Sequence, residues 1–256
     1  MIRDKADYAV ITVEKALDML EVLSEEPVDA TLPGLADRLG ISRNKAFRLL
    51  ATLEKRGLAE LEERSGRYRL GLPAVELAQR FLKGASLIRH AHPVMAGLAR
   101  KHDEAVYMTV LRGDEVLFLD MVDCDRQVKA APLVGKRFPF FTNASGKAIR
   151  ALDAGGYRER PGRKRTSGNV TPGSDDLEME LSVIREKGVA IDFEGLGEGV
   201  ISVAVAVRDY AGKVVGALTM LGPSFRMVAS RLENEIIPSL MEGAEILSMK
   251  FGYARV

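Results

Sequence analysis

A chain of 256 residues, 46% hydrophobic and 29% charged, has ample apolar material for a core and the length of two modest domains or one large one. Its net charge of +1 excludes a bulk pull towards nucleic acid, so any such binding must come from local patches. The single cysteine, Cys124, excludes an internal disulfide and points to a reducing compartment. No run nears the roughly 18 apolar residues that span a bilayer, and the charged N-terminus has no apolar signal core, so a cytoplasmic protein without a membrane partner is expected.

After a polar stretch over residues 1–9, Val13, Ala16, Leu17, Leu20 and Leu23 predict an amphipathic helix ended by Glu25, Glu26 and Pro27. Residues 32–51, LPGLADRLGISRNKAFRLLA, predict a helix-turn-helix. Leu32, Leu35, Ala36 and Leu39 share one helical face. Gly40 suits a turn that needs positive φ, Ile41 plugs the turn into the core, and Ser42 is a good N-cap for the second helix. There Ala46, Leu49 and Leu50 point inward, while Arg43, Asn44, Lys45 and Arg48 point outward as candidate contacts to bases and phosphates. An ordinary helical hairpin with a solvated basic face is the bland alternative. The agreement of turn, cap and small-residue positions favours the DNA-reading motif.

Gly57 stops the second helix as a C′ residue. Residues 58–61 and 67–70 then predict two short strands about a turn at 62–66, which makes the unit a winged helix-turn-helix: mainly α with a β-hairpin wing. Arg64, Arg67 and Arg69 of the wing are candidate phosphate contacts. Between Arg38 and Arg56 stand six basic residues and one acid, Glu54, whereas the first helix and its flank carry Glu14, Asp18, Glu21, Glu25 and Glu26. A near-neutral domain can thus present one basic face. From Pro73, Val75, Ala78 and Leu82, with Leu77 and Phe81 beside them, predict a linker helix whose apolar surface needs a partner: a second copy or the neighbouring domain.

The second half begins with a helix marked by Leu87, Ala91, Val94 and Leu98. Residues 106–111 and 115–121 flank Arg112, Gly113 and Asp114 as a hairpin. Residues 128–131 predict another short strand and 135–139 a loop. Small residues at 144–148 open a helix to Leu152, with backbone N–H groups at its N-terminus that suit an anionic ligand group. Residues 155–176, rich in Gly, Pro and Arg, predict a long basic loop. A helix over 176–187, a strand over 189–194, a glycine loop over 195–199, strands over 200–208 and 214–221, and a helix over 228–251 broken or kinked at Pro238 complete the chain. Five or six mostly antiparallel strands with segregated helices predict an α+β domain, with helices on one side and an open face for a small molecule.

Enzymatic readings fare poorly. Before Gly146 and Lys147 a phosphate-cradling loop would need Gly where Phe141 stands, and Ser or Thr where Ala148 stands. Gly195, Gly197 and Gly199 have the wrong spacing for a dinucleotide fingerprint. Cys124 lies among Asp123, Asp125 and Arg126 with no histidine base. His90 and His92 face different sides of a helix and His102 lies far along it, so no metal site and no cofactor is expected. A protein-docking role for the winged helix is disfavoured because Arg43, Asn44, Lys45 and Arg48 suit phosphates and guanine edges, without the aromatic anchors of binding hot spots.

From about Val13 to Phe251 the chain resembles the isocitrate-lyase-regulator (IclR) family of bacterial transcription factors. The first half does so through residues 13–17, Leu35 and Ala36, residues 48–50 and residues 66–71. The second does so through residues 134–136, Pro139, residues 144–148, Gly188, residues 192–194, Gly199, Val200, Ala204, residues 207–209 and residues 221–223. The resemblance implies a non-enzymatic, multidomain regulator: a winged helix-turn-helix over 10–72, a linker helix over 73–85 and a GAF-like α+β effector-binding domain over 86–256. It implies binding to palindromic operators on double-stranded DNA as a homodimer or tetramer, modulated by a small-molecule effector of the organic-acid class. DNA contacts fall to Ser42, Arg43, Asn44, Lys45, Arg48, Arg64 and Arg67. Effector contacts fall to Asn143, Ala144, Ser145, Gly146, Asp192, Ser202, Thr219 and Leu221, with the effector's carboxylate near the Ser145 and Gly146 amides. Three positions depart from the family pattern: Ser202 for a frequent Cys, Ala206 for a frequent Pro, and Gly195 for a second acid.

Overall fold

The computed structural model describes residues 10–25, 29–84, 86–153 and 174–254. The chain divides into two compact units, Met1–Gly84 and Ala85–Val256.

The first unit runs α1 (Ile11–Ser24), α2 (Leu32–Leu39), α3 (Arg43–Lys55), β1 (Ala59–Glu62), β2 (Arg67–Leu70) and α4 (Leu72–Gly84). Thr31 caps α2 by accepting the Gly34 N–H at 3.3 Å. Gly40, at φ +60°, makes the turn, and Ser42 caps α3 by accepting the Lys45 N–H at 3.3 Å. Leu35, Ala36, Ala46, Leu49 and Leu50 are buried as the spacing predicts; two alanines on facing helices keep the crossing free of bulk. Gly57 closes α3 at φ +68°, its N–H donating to the Glu54 carbonyl. β1 and β2 pair antiparallel from Ala59 opposite Leu70 to Glu62 opposite Arg67, and Thr31 bridges to Arg67 as a third, single-residue edge.

One stripe is corrected. The buried face of α1 runs through Ala16, Met19, Leu20 and Leu23, whereas Val13 and Leu17 are each 56% exposed. Met19, left out of the predicted stripe, completes an i, i+3, i+4, i+7 set and turns the packed face away from Leu17. Glu25 caps α1, while Glu26 and Pro27, expected to end it, lie outside the described residues, as do residues 1–9.

The second unit runs α5 (Ser86–His102), β3 (Ala105–Arg112), β4 (Glu115–Val122), β5 (Arg137–Pro139), α6 (Ala144–Leu152), α7 (Ser174–Lys187), β6 (Ala190–Phe193), β7 (Val200–Arg208), β8 (Val214–Pro223), the single turn α8 (Ala229–Arg231) and α9 (Ile237–Lys250). The strands form one six-stranded antiparallel sheet, ordered β5-β4-β3-β8-β7-β6. Residues 154–173, which hold most of the expected basic loop, lie outside the described residues.

Three further expectations are corrected. Residues 128–131 form no strand: side chains hold them in place of a ladder, with Arg226 donating to the Val128 carbonyl at 2.8 Å and Lys129 to the Cys124 carbonyl at 3.1 Å. The third hairpin strand is instead β5, within the stretch read as a loop. Pro139 is tolerated there because β5 is a sheet edge. Finally, the sheet has no open face. Alternation along β3 and β7 sends Ala105, Tyr107, Ala204 and Ala206 into a core with α6 and α7, and Val106, Met108, Val203 and Val205 into a second core with α5 and α9. Strands apolar on both sides read as continuous hydrophobic runs, which is what VISVAVAV is. As expected, Pro238 disturbs the last helix. It lacks an N–H and crowds the carbonyl of Asn234, and the preceding turn, Leu232–Ile236, widens to a π-helix.

Candidate functional site

Two sets of residues stand out, one in each unit. In the first, α3 buries Ala46, Leu49, Leu50 and Leu53, so its opposite face is a stripe of Asn44, Phe47, Arg48 and Ala51 at spacings i, i+3, i+4 and i+7. Ser42, Arg43, Asn44 and Arg48 are exposed and Lys45 is half-buried. Within the described residues no ion pair engages Arg43, Lys45 or Arg48, while Arg38 is held by Glu25. The cations at the start of α3 are therefore uncompensated, as a phosphate- and base-contacting surface requires. On the wing, Arg64 and Arg67 are exposed, and Arg69 is tied to Glu60 at 2.9 Å. That exposed pair competes with a phosphate for the Arg69 guanidinium. Phe47 was missed: it is 56% exposed on the stripe expected to lack aromatics.

In the second unit the structure brings all eight residues of the expected effector set together at the N-terminus of α6, and all eight are buried. Asp192 lies opposite Ser202 across β6 and β7, and Ser202 lies opposite Leu221 across β7 and β8. Thr219 stands between Ala204 and Tyr107 in the next row. The Ser145 and Thr219 hydroxyls are hydrogen-bonded at 2.8 Å, and Ser202 Oγ accepts the Ala144 N–H at 3.4 Å. Gly146 is required by a close approach: a Cβ there would lie 2.2 Å from the Phe140 carbonyl oxygen. Its N–H, expected to face a carboxylate, is instead taken by Asn143 Oδ1 at 3.0 Å, because Asn143 is the N-cap of α6.

Beside Asp192, two charged residues outside the expected effector set complete the site, Lys147 and Glu180. Lys147 is 8% exposed, and its Nζ lies 2.7 Å from Asp192 and 2.8 Å from Glu180 of α7. Burial alone would lower its pKa, but the hydrogen bonds from its ammonium to Asp192 and Glu180 prevail and hold it above the ordinary 10.5. The other oxygen of Asp192 accepts the Gly195 N–H at 3.0 Å. Gly195 itself lies against the Thr142 carbonyl, where a Cβ would come within 1.8 Å. One carboxylate thus joins a buried cation to the first residue of the glycine loop. The signal for Lys147 was present in the sequence: with Ala144, Ala148 and Ala151 it makes an i, i+3, i+4, i+7 set, a lone charge on the apolar stripe of α6. Nearby, the Tyr107 hydroxyl is buried beside the Leu133 backbone. Burial raises its pKa to about 12, with a smaller opposing effect from the Leu133 backbone.

The three histidines do not converge. His92 pairs with Asp120 at 2.9 Å, His90 meets the edge of Phe251 at 5.5 Å, and His102 is buried. Among the described residues no helix is long and apolar enough to cross a membrane.

A capped helix-turn-helix with a wing and an uncompensated basic helix defines a DNA-binding regulator. Two family models match the chain: the IclR helix-turn-helix domain over residues 12–63 and the bacterial transcriptional regulator IclR C-terminal domain over residues 79–249. The chain belongs to the IclR family of transcriptional regulators, and it is a regulator rather than an enzyme. It is 31% identical to the glycerol operon regulatory protein of Streptomyces griseus, over 95% of this chain and 97% of that one. The crystal structure of an IclR transcriptional regulator from Alicyclobacillus acidocaldarius superposes with a TM-score of 0.81 at 26% identity, covering 94% of this chain and 99% of that one. An IclR homologue from Microbacterium hydrocarbonoxydans, complexed with 4-hydroxybenzoate, superposes with a TM-score of 0.72 at 23% identity, covering 95% of this chain and 100% of that one.

Proposed function

We propose that the chain is a cytoplasmic homodimer or tetramer whose α3 helices read palindromic half-sites in the major groove, and whose second unit binds a small carboxylate that modulates that binding. Residues 10–72 serve as the DNA-binding domain, 73–85 as the linker and 86–256 as the effector-binding domain. Ser42, Arg43, Asn44, Lys45 and Arg48 contact bases and phosphates at one half-site, with Arg64 and Arg67 on the flanking backbone. A two-fold pair of such helices reads half-sites about 34 Å apart, or a multiple of that.

The observation that carries the effector reading is the buried Lys147 between two acids, beside the hydroxyls of Ser145, Ser202 and Thr219. A carboxylate effector exchanges for Asp192 on Lys147 Nζ, and the displaced Asp192 carboxylate must then turn to water or take up a proton, because it is buried without a cation. Asn143, Ala144, Gly146 and Leu221 shape the surroundings. Once displaced, Asp192 no longer holds the Gly195 N–H in the same place, and the glycine loop shifts. The binding of 4-hydroxybenzoate, an aromatic carboxylate, by the Microbacterium homologue supports this class of ligand.

The test is a thermal-shift series of benzoate and 4-hydroxybenzoate against the uncharged benzamide. Carboxylates should stabilise the chain and benzamide should not. Asp192→Asn removes the internal competitor, so it should bind the same carboxylates more tightly, blunt their effect on DNA binding and leave ligand-free DNA affinity intact. A normal DNA response in that variant removes Asp192 from the site.

Self-association rests on exposed apolar residues of the first unit. Val75 and Leu77 of α4 are 50% and 66% exposed, and Leu17 of α1 is 56% exposed. Leu77→Asp in the full chain should shift sedimentation towards a smaller species; an unchanged sedimentation profile excludes α4 from the interface.

A further inference from the structure

On α3 the residue that breaks the pattern is Phe47. An amphipathic surface helix keeps its large apolar side chains on the packed face. Here the packed face is complete without it: Ala46, Leu49, Leu50 and Leu53 are all buried. Phe47 stands on the other side, 56% exposed, three residues after Asn44 and directly before Arg48, in the stripe that the uncompensated cations define as the DNA-facing surface. Leaving a ring this exposed forgoes the hydrophobic stabilisation that burial would supply, so the free chain gains little from it.

In the major groove only one base presents an apolar group, the 5-methyl of thymine, and apolar side chains read it by contact. The neighbours of Phe47 read other edges: an Asn pairs bidentately with adenine and an Arg with guanine. Three residues of helix advance about 4.5 Å, close to the ~3.4 Å rise of one base pair. Asn44 and Phe47 are thus spaced to meet adjacent base pairs. We infer that Phe47 is a specificity-determining residue that packs against the 5-methyl group of a thymine in each half-site, next to the base pair contacted by Asn44. The inference rests on the docking of α3 in the major groove.

The experiment uses the full chain and duplexes that it enriches from a random-sequence pool. In the enriched duplex each thymine is replaced in turn by deoxyuridine, which removes the methyl group and keeps base pairing. Wild type should lose affinity about fourfold at one thymine per half-site, the worth of one buried carbon. Phe47→Ala should bind the parent duplex more weakly and be indifferent to deoxyuridine at that same position. Because Phe47 lies outside the core, its variant should keep the wild-type thermal midpoint. Absence of a methyl effect at every thymine in wild type overturns the inference, as does a methyl effect that persists undiminished in Phe47→Ala. If wild type enriches no sequence, the docking of α3 fails and the inference fails with it. If wild type enriches a sequence and no methyl effect is found, only the role of Phe47 is lost.

Discussion

Arg48→Ala should weaken binding to the enriched operator by about 1–3 kcal/mol, a loss of roughly five- to 150-fold, if the guanidinium reads a guanine edge. Arg48 is exposed, makes no ion pair within the described residues, and follows Ala46 and precedes Leu49, both of which anchor α3 in the core. Alanine is a good helix former at such a site, so the fold should be indifferent. Fluorescence anisotropy on specific and scrambled duplexes separates the two roles open to this side chain. Loss on the specific duplex alone marks base reading. Equal loss on both, with a salt slope shallower by about one, marks a phosphate contact. The same measurements apply to Arg43→Ala. Unaltered affinity in both variants would remove α3 from the groove.

What was legible in the sequence is whatever short-range chemistry decides alone. The turn of the helix-turn-helix follows from Gly40 and Ser42, which act within four residues of themselves, and the structure has both in the expected roles. The β3–β4 hairpin follows in the same way from Gly113, at φ +66°. The misses involve distant partners. Residues 128–131 look strand-like, yet Arg226, about a hundred positions on, holds the Val128 carbonyl and no ladder forms. The count of covered faces was missed because a strand buried on both sides gives an apolar run without alternation, as in VISVAVAV, and such a run does not say where its helices lie.

The sites divide along the same line. The eight residues of the expected effector set cluster as the family resemblance implies, but the Gly146 amide is not available as expected, because Asn143 caps the helix that it opens. The two most informative residues were those that violate the binary pattern: Lys147 on the apolar stripe of α6 and Phe47 on the polar stripe of α3. Local rules broken without a local reason mark positions where something other than folding sets the residue. The i, i+3, i+4, i+7 count that located each core would have exposed both.

Lys147→Met tests the first of these. Methionine keeps the unbranched shape but leaves Asp192 and Glu180 facing each other's charge without a cation. Removing one partner of a buried pair costs about 3–5 kcal/mol. Asp192 is 8% exposed, but the Glu180 side chain is 41% exposed and partly screened by water, so the low end, about 3 kcal/mol, is expected. For a unit of this size that lowers the thermal midpoint by roughly 6–12 °C. Adding Asp192→Asn removes the unpaired buried carboxylate and should restore much of the loss. Equal destabilisation in the single and double variants would mean that packing, not charge, makes Lys147 necessary. The pH dependence has a definite sign. The folded-state pKa of Lys147 lies above its ordinary 10.5, so its contribution is fully present below that value and is lost as pH rises through the folded pKa. Wild type should therefore keep this stability through neutral pH and lose it only under strongly alkaline conditions. Lys147→Met should lack that alkaline step, and a step of equal size in both proteins would assign it to another group.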